Sequence, residues 1–494
     1  MTIHIIPEWH DNAMRVPEFD DSLHQTQLFL SQGQDVILTI IDFLPNLNQV
    51  MLKNNLTAAD VWSVYDVLQR VRLTDDRPVA ITDFTWPPQA QFIYLPDRIL
   101  VQVEDVQYAT VWLDQEWQAR IVAIDLWSAA GRTQQLLVDY RGFISRVTTF
   151  DTQGEVVRRD YLTPSGAVAV QETGDSGAVT TQQVWTTQTH FKNMAELVAV
   201  ALSQHLASMP ATDYIIMAQS QRATFLVNQV APQQPVILSY QSQRTDPQLA
   251  QALLLHISGT VAYAVTDTQA QYDKIVAQLA NPDELAVIPP YPVMATMQPS
   301  AQQPVVLIYW VAPSLEQADF EAVQAAMISQ PEAIVFIETD QEHTAFDALI
   351  REASQTATNE HGLVDRASQE AYQGRFQFLP PQSEAKRLQY MSTARVLLDL
   401  GSAPDQFMQA AALTYGVPQI NQTATPYVLP EKNGQIVTDQ LSLVVALQHY
   451  LLAPQPNQLV RETAHELAQA HSDEYLWIKW QQVFNKIKQQ RASS

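Results

Sequence analysis

The stretch LDLGSAPDQFMQAAALTYGVP, residues 398–418, decides the fold of the second half of the chain. It opens with a short apolar run ending in Asp-Leu-Gly, which is typical of a strand that leaves a sheet. Apolar residues at helical spacing follow over 405–415, and Gly416 supplies the residue type that most often ends a helix. A new apolar step reaches Ile420. The order strand, loop, helix and strand predicts one β-α-β step of a parallel sheet.

Around this stretch, apolar runs alternate with amphipathic segments from about residue 304 to residue 452. Such alternation predicts a mainly parallel sheet with right-handed crossovers. The predicted strands are 304–310, 333–338, 376–379, 394–400 and 417–420. The predicted helices lie near 314–329, 343–355, 383–391, 405–415 and 439–452. A last helix over 473–488 carries a wide apolar face, which we expect to pack across two α/β domains rather than on a membrane or partner.

The N-terminal half opens with a second β-α-β pattern. A strand is predicted at 3–6, a helix at 19–30 and a buried strand at 36–41, followed by a helix at 61–71. A Rossmann nucleotide site would carry the motif G-x-G-x-x-G after the first strand. Here that turn reads PEWHDNAM, and the first glycine of the chain is Gly33. The usual cradle for a phosphate is therefore missing from this turn.

From about residue 81 to residue 184 the pattern changes to runs of β-branched and aromatic residues separated by turn signals. This predicts an antiparallel β-domain inserted into the first α/β unit. Alternation resumes after Asn193, a predicted helix N-cap, and includes a helix at 247–256 before a proline-rich linker at 289–303. The predicted domains are 1–75 and 191–290 (first Rossmann-like domain, two parts), 76–190 (inserted β-sheet), 301–460 (second Rossmann-like domain) and 461–494 (C-terminal crossing helices).

Composition narrows the function classes. The chain has 494 residues, enough for two or three domains, and 28 Lys and Arg against 52 Asp and Glu give a net charge of −24. Such a surface opposes nucleic acid and anionic lipid unless basic residues cluster. The basic clusters are Arg158-Arg159, Lys386-Arg387 and the helix-end residues Lys486, Lys488 and Arg491. The absence of cysteine excludes disulfides and thiolate chemistry, and we expect no signal peptide, no membrane span and a cytosolic location.

Acid–base candidates occur near the first turn. His10 and His24 have the residue type of a general base, but a loop hydrogen bond is the commoner role for such a histidine. Asp20 and Asp21 look like paired carboxylates, yet adjacent residues point different ways on a helix. We therefore predict that both aspartates stabilise a helix N-terminus.

Two further residue pairs near the C-terminus resemble functional motifs. His465 and His471 flank ELAQA at i, i+6, whereas a zinc-binding H-E-x-x-H pair needs i, i+4, so no metal site is predicted. Asn433 and Gly434 in LPEKNGQIV predict a simple turn. The motif G-x-S-x-G and the P-loop motif are absent, so the sequence contains no motif that indicates acyl transfer or phosphoryl transfer.

The 398–418 stretch resembles the donor site of glycosyltransferases that have two facing Rossmann-like domains. In such enzymes the loop and helix usually carry two glutamates eight positions apart, and alanines stand at both matching positions here. An Arg and a Lys usually follow the first strand of the second domain, yet residues 275–350 contain no Lys or Arg and ten acids. A diphosphate needs fixed donors or cations, so nucleotide-sugar transfer is disfavoured. The predicted degenerate donor cleft lies around Ala403, Ala411, Gly416 and Pro418.

Nine segments, in order along the chain, carry a wider resemblance: IPEW at 6–9, FDDSLHQTQLF at 19–29, LPNLNQVM at 44–51, VWSVYDVLQ at 61–69, DFTWP at 83–87, FIYLP at 92–96, DYRGFISRVTTF at 139–150, DYLTPSGAV at 160–168, and DLGSAPDQF through GVPQIN at 399–421. The chain resembles the first of three accessory secretion proteins of the accessory Sec system, which exports serine-rich-repeat adhesins in Gram-positive bacteria. The resemblance implies an α/β fold with two Rossmann-like domains facing each other, glycosyltransferase B-like, and an inserted antiparallel β-domain. It also implies a non-catalytic protein that assembles with two sister accessory secretion proteins and the accessory SecA motor.

The predicted function is therefore a non-enzymatic component of the accessory Sec export machinery. It would scaffold a complex that delivers the serine-rich-repeat glycoprotein substrate to the SecA motor and channel. We expect no catalytic residue, cofactor, metal or nucleic-acid partner, and at most peripheral membrane contact at the inner face of the cell membrane. Two alternatives stay open: an active glycosyltransferase and a glycan-binding module, both acting on the same adhesin.

Overall fold

The computed structural model of the chain describes residues 1–9, 20–72, 77–114, 120–182, 186–242, 244, 261–277, 282–293, 306–360, 366–452 and 458–493. His10, the helix predicted at 247–256 and residues 294–303 of the predicted linker lie outside these ranges. The chain forms two compact units, the first built on Met1–Ser239 and the second on Ala264–Ser494.

Strands and helices are labelled here in chain order. The strands are β1 Thr2–Ile6, β2 Asp35–Ile40, β3 Asp60–Ser63, β4 Gln91–Tyr94, β5 Arg98–Val103, β6 Val106–Leu113, β7 Ile121–Ser128, β8 Gly131–Asp139, β9 Phe143–Phe150, β10 Val156–Leu162, β11 Val168–Thr173, β12 Val179–Thr181, β13 His190–Phe191, β14 Tyr214–Ala218, β15 Val236–Tyr240, β16 Tyr263–Thr266, β17 Leu285–Val287, β18 Val306–Val311, β19 Ala333–Glu338, β20 Phe376–Leu379, β21 Val396–Asp399, β22 Gln419–Asn421 and β23 Gly434–Ile436. The helices are α1 Asp21–Ser31, α2 Leu47–Lys53, α3 Val64–Gln69, α4 Met194–Ala207, α5 Gln221–Val230, α6 Gln269–Val276, α7 Gln317–Met327, α8 Thr344–Glu360, α9 Arg366–Gln373, α10 Glu384–Met391, α11 Gln406–Tyr415, α12 Gln440–Leu452, α13 Gln458–Ala470 and α14 Asp473–Ser493.

The first sheet has seven strands in the order β17-β16-β15-β14-β1-β2-β3. The predicted β-α-β opening is confirmed, because β1 pairs in parallel with β2 and α1 lies between them in sequence. Asp20 caps α1 by accepting hydrogen bonds from the backbone N–H groups of Ser22 at 2.8 Å and Leu23 at 3.3 Å. Asn193 likewise caps α4 through the N–H of Glu196, as predicted. Side-chain caps of this kind satisfy donors that a helix leaves unpaired at its start.

The prediction of one helix over 61–71 was wrong in its first part. Residues Asp60–Ser63 form the edge strand β3, which pairs in parallel with β2. Ser63 then caps the short helix α3 by accepting a hydrogen bond from the N–H of Asp66 at 3.3 Å. The order of apolar and polar residues here fits both the helical period and the strand period. Pairing with β2 decides in favour of a strand.

The second sheet is antiparallel and has ten strands, which run in sequence order from β4 to β13. This meander confirms the antiparallel β-domain that was predicted from about residue 81 to residue 184. One face packs an apolar core that includes Val101, Val111 and Ile124. Gly142 makes one of its tight turns with φ of 89°, and a Cβ there would lie 2.7 Å from the carbonyl oxygen of Arg77. A glycine suits that position because other residues are strained at positive φ.

The third sheet has six strands in the order β20-β19-β18-β21-β22-β23. All five described pairings are parallel, as the alternation of strands and helices predicts. Its core contains Trp310, Phe320, Val335 and Leu447 among other buried apolar side chains. The strand β23 and the helix α9 were not predicted, because the first is short and the second is strongly polar. Within the described residues, no helix is long and apolar enough to span a bilayer.

Candidate functional site

The 398–418 stretch forms the predicted strand, loop and helix. β21 ends at Asp399, and α11 follows after a short loop. Gly416 has φ of 65°, the left-handed conformation that ends a helix, and its N–H donates to the carbonyl of Leu413 at 3.1 Å. Asp405 caps the helix start by accepting a hydrogen bond from the N–H of Met408 at 3.1 Å. The sequence therefore predicted this step correctly from its apolar spacing and its glycine.

A buried carboxylate, Asp399, holds the loop before α11. Its side chain is 1% exposed and accepts hydrogen bonds from the N–H of Asp405 at 2.8 Å and the N–H of Gly401 at 3.3 Å. The amide of Gln409 adds a third donor at 2.8 Å. Burial, with a further contribution from the charge of Asp405, raises the pKa of Asp399 to about 7. The donors at the start of α11 therefore already have partners in the chain.

A buried cation lies beside the same helix start. Arg387, on α10, donates to Asp405 at 2.6 Å and to Glu338 at 2.5 and 2.9 Å. The hydroxyl of Tyr309 also donates to Glu338. Burial opposes the charge on Arg387, but the carboxylates Asp405 and Glu338 outweigh it and raise its pKa. From the sequence, Lys386-Arg387 is only a basic cluster, because the acidic partners of Arg387 lie 18 and 49 positions away.

The four residues of the predicted cleft lie at different depths. Ala403 is exposed in the loop, whereas Ala411 is 4% exposed in the body of α11. Gly416 ends that helix, and the carbonyl of Pro418 accepts a hydrogen bond from the N–H of Leu397 at 3.0 Å. Neither alanine supplies a polar group. The polar side chains that α11 does bring to the site are glutamines.

Two of these glutamines link α11 to other buried groups of the second unit. The Gln406 amide donates to Asp267 at 2.6 Å, and Asp267 also accepts from the hydroxyl of Ser242 at 2.8 Å. Gln409 accepts a hydrogen bond from Thr425 in addition to its bond to Asp399. Buried amides of this kind are stabilised by internal hydrogen bonds, and they carry no charge with which to bind a substrate. The i, i+3 spacing of Gln406 and Gln409 is the signal in the sequence that places both on neighbouring positions of one helix face.

The Asn433-Gly434 segment is more than the simple turn that was predicted. Asn433 is fully buried, accepts from the N–H of Leu429 at 2.6 Å and donates to the carbonyl of Tyr427 at 2.9 Å. Gly434 begins β23, where a Cβ would lie 2.5 Å from the carbonyl oxygen of Gln419. The glycine is therefore required by close strand packing, while the positive φ of the turn falls on Glu431.

The histidine candidates are not brought together. His24 is half-buried on α1, His465 is exposed beside Gln469, and His471 is buried with Nδ1 2.8 Å from the carbonyl of Leu467. Across the part of the chain that the structure describes, no cluster of three His, Asp or Glu residues could hold a metal ion.

Asp21 does more than stabilise the start of α1, as was predicted. Its side chain is buried and accepts a hydrogen bond from the hydroxyl of Ser239 at 2.6 Å.

One predicted basic cluster of the inserted sheet is paired with acids. Arg158 lies 2.8 Å from Asp160, and Arg159 lies 3.3 Å from Glu172. Arg387 is paired as well, whereas Lys386 of the same cluster is exposed and donates to the side-chain oxygen of Gln389 at 3.1 Å. Lys486, in the tail, lies 3.5 Å from the carbonyl oxygen of Asp283.

The fold can now be compared with known proteins by its parallel sheets, its long antiparallel meander and its β21–α11 step. The family model of the accessory Sec system protein called accessory secretory protein 1 matches residues 3–458. The chain belongs to this family. Membership assigns it to the accessory Sec system, as the sequence resemblance predicted. A relative from Staphylococcus aureus (strain NCTC 8325 / PS 47) is 23% identical over 487 residues, which cover 91% of this chain and 92% of that protein.

Solved structures define the fold class. A chain in the crystal structure of accessory secretory proteins 1, 2 and 3 from Streptococcus pneumoniae has a TM-score of 0.79 and 20% identity, with 99% of each chain covered. The pneumococcal O-GlcNAc transferase GtfA, solved with UDP and GlcNAc, has a TM-score of 0.75 and 12% identity, again with 99% of each chain covered. At such low identity these likenesses show the fold alone. The fold is that of glycosyltransferase B-like α/β proteins with an added antiparallel sheet, as predicted.

Proposed function

We propose that this protein is a non-enzymatic component of the accessory Sec machinery, in which a transferase fold serves as a scaffold for protein binding. One observation carries the proposal. The start of α11 and the nearby cation Arg387, where a donor diphosphate would need partners, are occupied by the carboxylates of Asp399, Asp405 and Glu338.

The electrostatic argument starts from the ligand. A nucleotide-sugar diphosphate brings about two negative charges, and catalysis requires oriented donors or cations to stabilise the leaving group. Backbone N–H groups at a helix start attract such an anion. Here the N–H groups of Gly401, Asp405 and Met408 already donate to internal carboxylates. An incoming diphosphate would have to displace buried aspartates, and like charges would repel it.

The proposed assembly role concerns the proteins that this chain binds. Accessory secretory proteins 1, 2 and 3 have been solved together from Streptococcus pneumoniae, which supports two sister proteins as partners of this chain. In the proposal the complex works in the cytoplasm, binds the serine-rich-repeat glycoprotein adhesin and passes it to the accessory SecA motor. Membrane contact is at most peripheral, because a net charge of −24 opposes anionic lipid.

Calorimetry with UDP-GlcNAc and UDP-glucose tests the absence of catalysis. We expect no saturable heat at millimolar nucleotide sugar and no release of UDP over hours, with the pneumococcal transferase GtfA as the positive control. Saturable binding together with turnover would establish the alternative, an active glycosyltransferase. That alternative draws its support from the TM-score of 0.75 to the transferase.

Co-expression with the two sister proteins tests the assembly role. We expect a single complex in size-exclusion chromatography with light scattering, and a complex that then retains the accessory SecA motor and the glycosylated adhesin in pull-downs. A matched pull-down with the housekeeping SecA controls for unspecific capture. If the chain elutes alone and monomeric after co-expression, the scaffold role is wrong.

A further inference from the structure

The helix α12 carries apolar side chains on its outer face. Leu441, Val445 and Leu452 are 74%, 57% and 56% exposed. Their spacings of four and seven residues place the three side chains on one side of the helix. A helix at the surface of a protein usually presents polar residues to solvent, and an exposed apolar stripe is typical of a docking surface.

The inner face of α12 is apolar as well. Four of its side chains are buried in the core of the third sheet: Leu443, Ala446, Leu447 and Tyr450. A helix that is apolar on both faces is usually buried on both. Within the described residues, only the inner face of α12 is covered. The outer face is therefore open to another molecule.

The neighbouring helix α7 completes a shallow groove. It packs against α12, and the Gln440 amide donates to Asp319 at 3.1 Å, so the first turns of the two helices lie side by side. Ala318 and Ala325 face solvent on α7, and their small side chains leave room beside the larger ones of α12. The apolar stripe of α12 extends over about 16 Å, or about three turns. A helix of similar length from another protein fits a groove of this kind.

The rim of this groove is acidic. Glu316, Glu321 and Asp439 are exposed, and Asp319 is half-buried beside them. Residues 314–332 and 438–452, which include both helices, contain no Lys or Arg. An apolar stripe with a negative rim is complementary to a helix whose own apolar stripe is flanked by Lys or Arg.

We propose that the groove formed by α7 and α12 binds a basic amphipathic helix of a partner protein. The partner helix buries Leu441, Val445 and Leu452 under its apolar stripe and places its cations on the acidic rim. Like charge disfavours two other occupants. A second copy of this chain would bring the same acidic rim, and an anionic membrane would be repelled in the same way.

This inference rests on the proposed assembly role for its partner, which is another protein of the accessory machinery. It adds to that role the surface and the kind of helix that the surface binds. A model peptide tests the groove independently of the assembly role. If the wild-type chain elutes alone after co-expression, the assembly role fails, whereas a groove that does not bind the peptide overturns the inference made here for α7 and α12.

Fluorescence anisotropy of the full chain with two labelled peptides tests the groove. The first is a Leu/Lys peptide of about 18 residues, or five turns, with its leucines at helical spacing. The second has the same composition in scrambled order and therefore the same charge. We expect the first peptide to bind at least about tenfold more tightly, which corresponds to about 1.4 kcal/mol, because only it has the apolar stripe.

A double variant assigns the binding to α12. Leu441→Gln combined with Val445→Gln places uncharged helix formers at two exposed positions, so the fold should persist. We expect this variant to bind the amphipathic peptide about tenfold or more weakly than the wild type. Leu52→Gln is the matched control and should bind like the wild type, because Leu52 is 54% exposed on α2 of the other unit. Urea unfolding of both variants checks that the fold is intact.

Co-expression with the two sister proteins and the accessory SecA motor applies the test to the complex. We expect the double variant to lose at least one of these proteins in size-exclusion chromatography, and Leu52→Gln to keep all that the wild type binds. Light scattering of the chain alone and flotation with phosphatidylglycerol vesicles test the two other occupants. The proposal is overturned if the double variant binds the peptide or every partner like the wild type, or if it instead abolishes dimerisation or vesicle binding of this chain.

Discussion

The Arg387 guanidinium donates two hydrogen bonds to one oxygen of Glu338, at 2.9 Å from Nε and 2.5 Å from Nη2. Glu338 is the last residue of β19, and Arg387 lies on α10, forty-nine positions away. Both side chains are at most 10% exposed. The ion pair ties a helix to the carboxyl end of the parallel sheet, where open α/β sheets usually bind ligands. In this protein the cation at that end stabilises the fold.

Removing Arg387 should be costly. Arg387→Ala leaves Glu338 and Asp405 buried without their positive partner, and breaking a buried pair in this way typically costs about 3–5 kcal/mol. We expect that loss in the free energy of unfolding measured with urea. Addition of UDP should not restore stability, because the cavity left by Arg387 is acidic.

A surface ion pair provides the control. Arg366→Ala removes an arginine that lies 2.7 Å from Glu370 on an exposed helix, with the arginine side chain 91% exposed. Exposed i, i+4 pairs contribute about 0.3–0.5 kcal/mol, so this variant should unfold almost like the wild type. Equal losses for the two variants would contradict the structural role assigned to Arg387.

Local patterns and tertiary partners differ in how well the sequence predicts them. The β21–α11 step was predictable because apolar spacing and Gly416 are local signals. The role of Arg387 was not, since its partners Glu338 and Asp405 come together only when β19, α10 and α11 pack. That Ala403 and Ala411 supply no carboxylate follows from the sequence alone. Which groups pair with the start of α11 is visible only in the hydrogen bonds of the folded chain.

The buried Asp399 predicts a pH dependence of stability. Its pKa is raised from an ordinary 3.8 to about 7 in the folded chain, so the folded state holds a proton that the unfolded state releases. The contribution to stability is fully present below about pH 4 and is lost as the pH rises through 7. Relative to Asp399→Asn, we expect the unfolding free energy of the wild type to fall by about 1.4 kcal/mol per pH unit in that window. Urea titrations at pH 5, 6, 7 and 8 measure the difference.

Asp439 provides a control of opposite sign. It caps α12 by accepting a hydrogen bond from the N–H of Ser442 at 2.8 Å, and hydrogen bonds from Ser442 lower its pKa. Its contribution is present above the ordinary pKa near 3.8 and is lost only as the pH falls below that value. Asp439→Asn should therefore run parallel to the wild type between pH 5 and 8. If the Asp399→Asn curve is also parallel, Asp399 does not retain a proton in the folded chain.

A histidine pair in the first unit predicts the reverse dependence. His4 is fully buried on β1, and its ring centroid lies 6.0 Å from that of His205, which stacks on Trp62 at 3.9 Å. Burial lowers the pKa of both, and in His205 the neighbouring His4 lowers it further to about 4, whereas Asp213 opposes the shift in His4. Stability from neutral histidines is fully present above pH 6.5 and is lost as the pH falls towards 4. His205→Gln should reduce the loss of melting temperature between pH 7.5 and 5. The control variant His190→Gln, at an exposed histidine, should not reduce it. Equal losses in the two variants would exclude the pair of His4 and His205 as the cause of the pH dependence.

Close packing at β23 gives the last prediction. A Cβ on Gly434 would lie 2.5 Å from the carbonyl oxygen of Gln419 and 2.8 Å from a methyl group of Val428. The backbone of β22 cannot yield without breaking its pairing with β23, so Gly434→Ala should cost about 1–3 kcal/mol in the free energy of unfolding, as overpacking does. In Gly374→Ala the new Cβ would lie 3.3 Å from the nearest atom, a distance that a small shift relieves, and we expect a change within about 0.5 kcal/mol. Equal stability of the two variants in urea would show that β23 tolerates a side chain at this position.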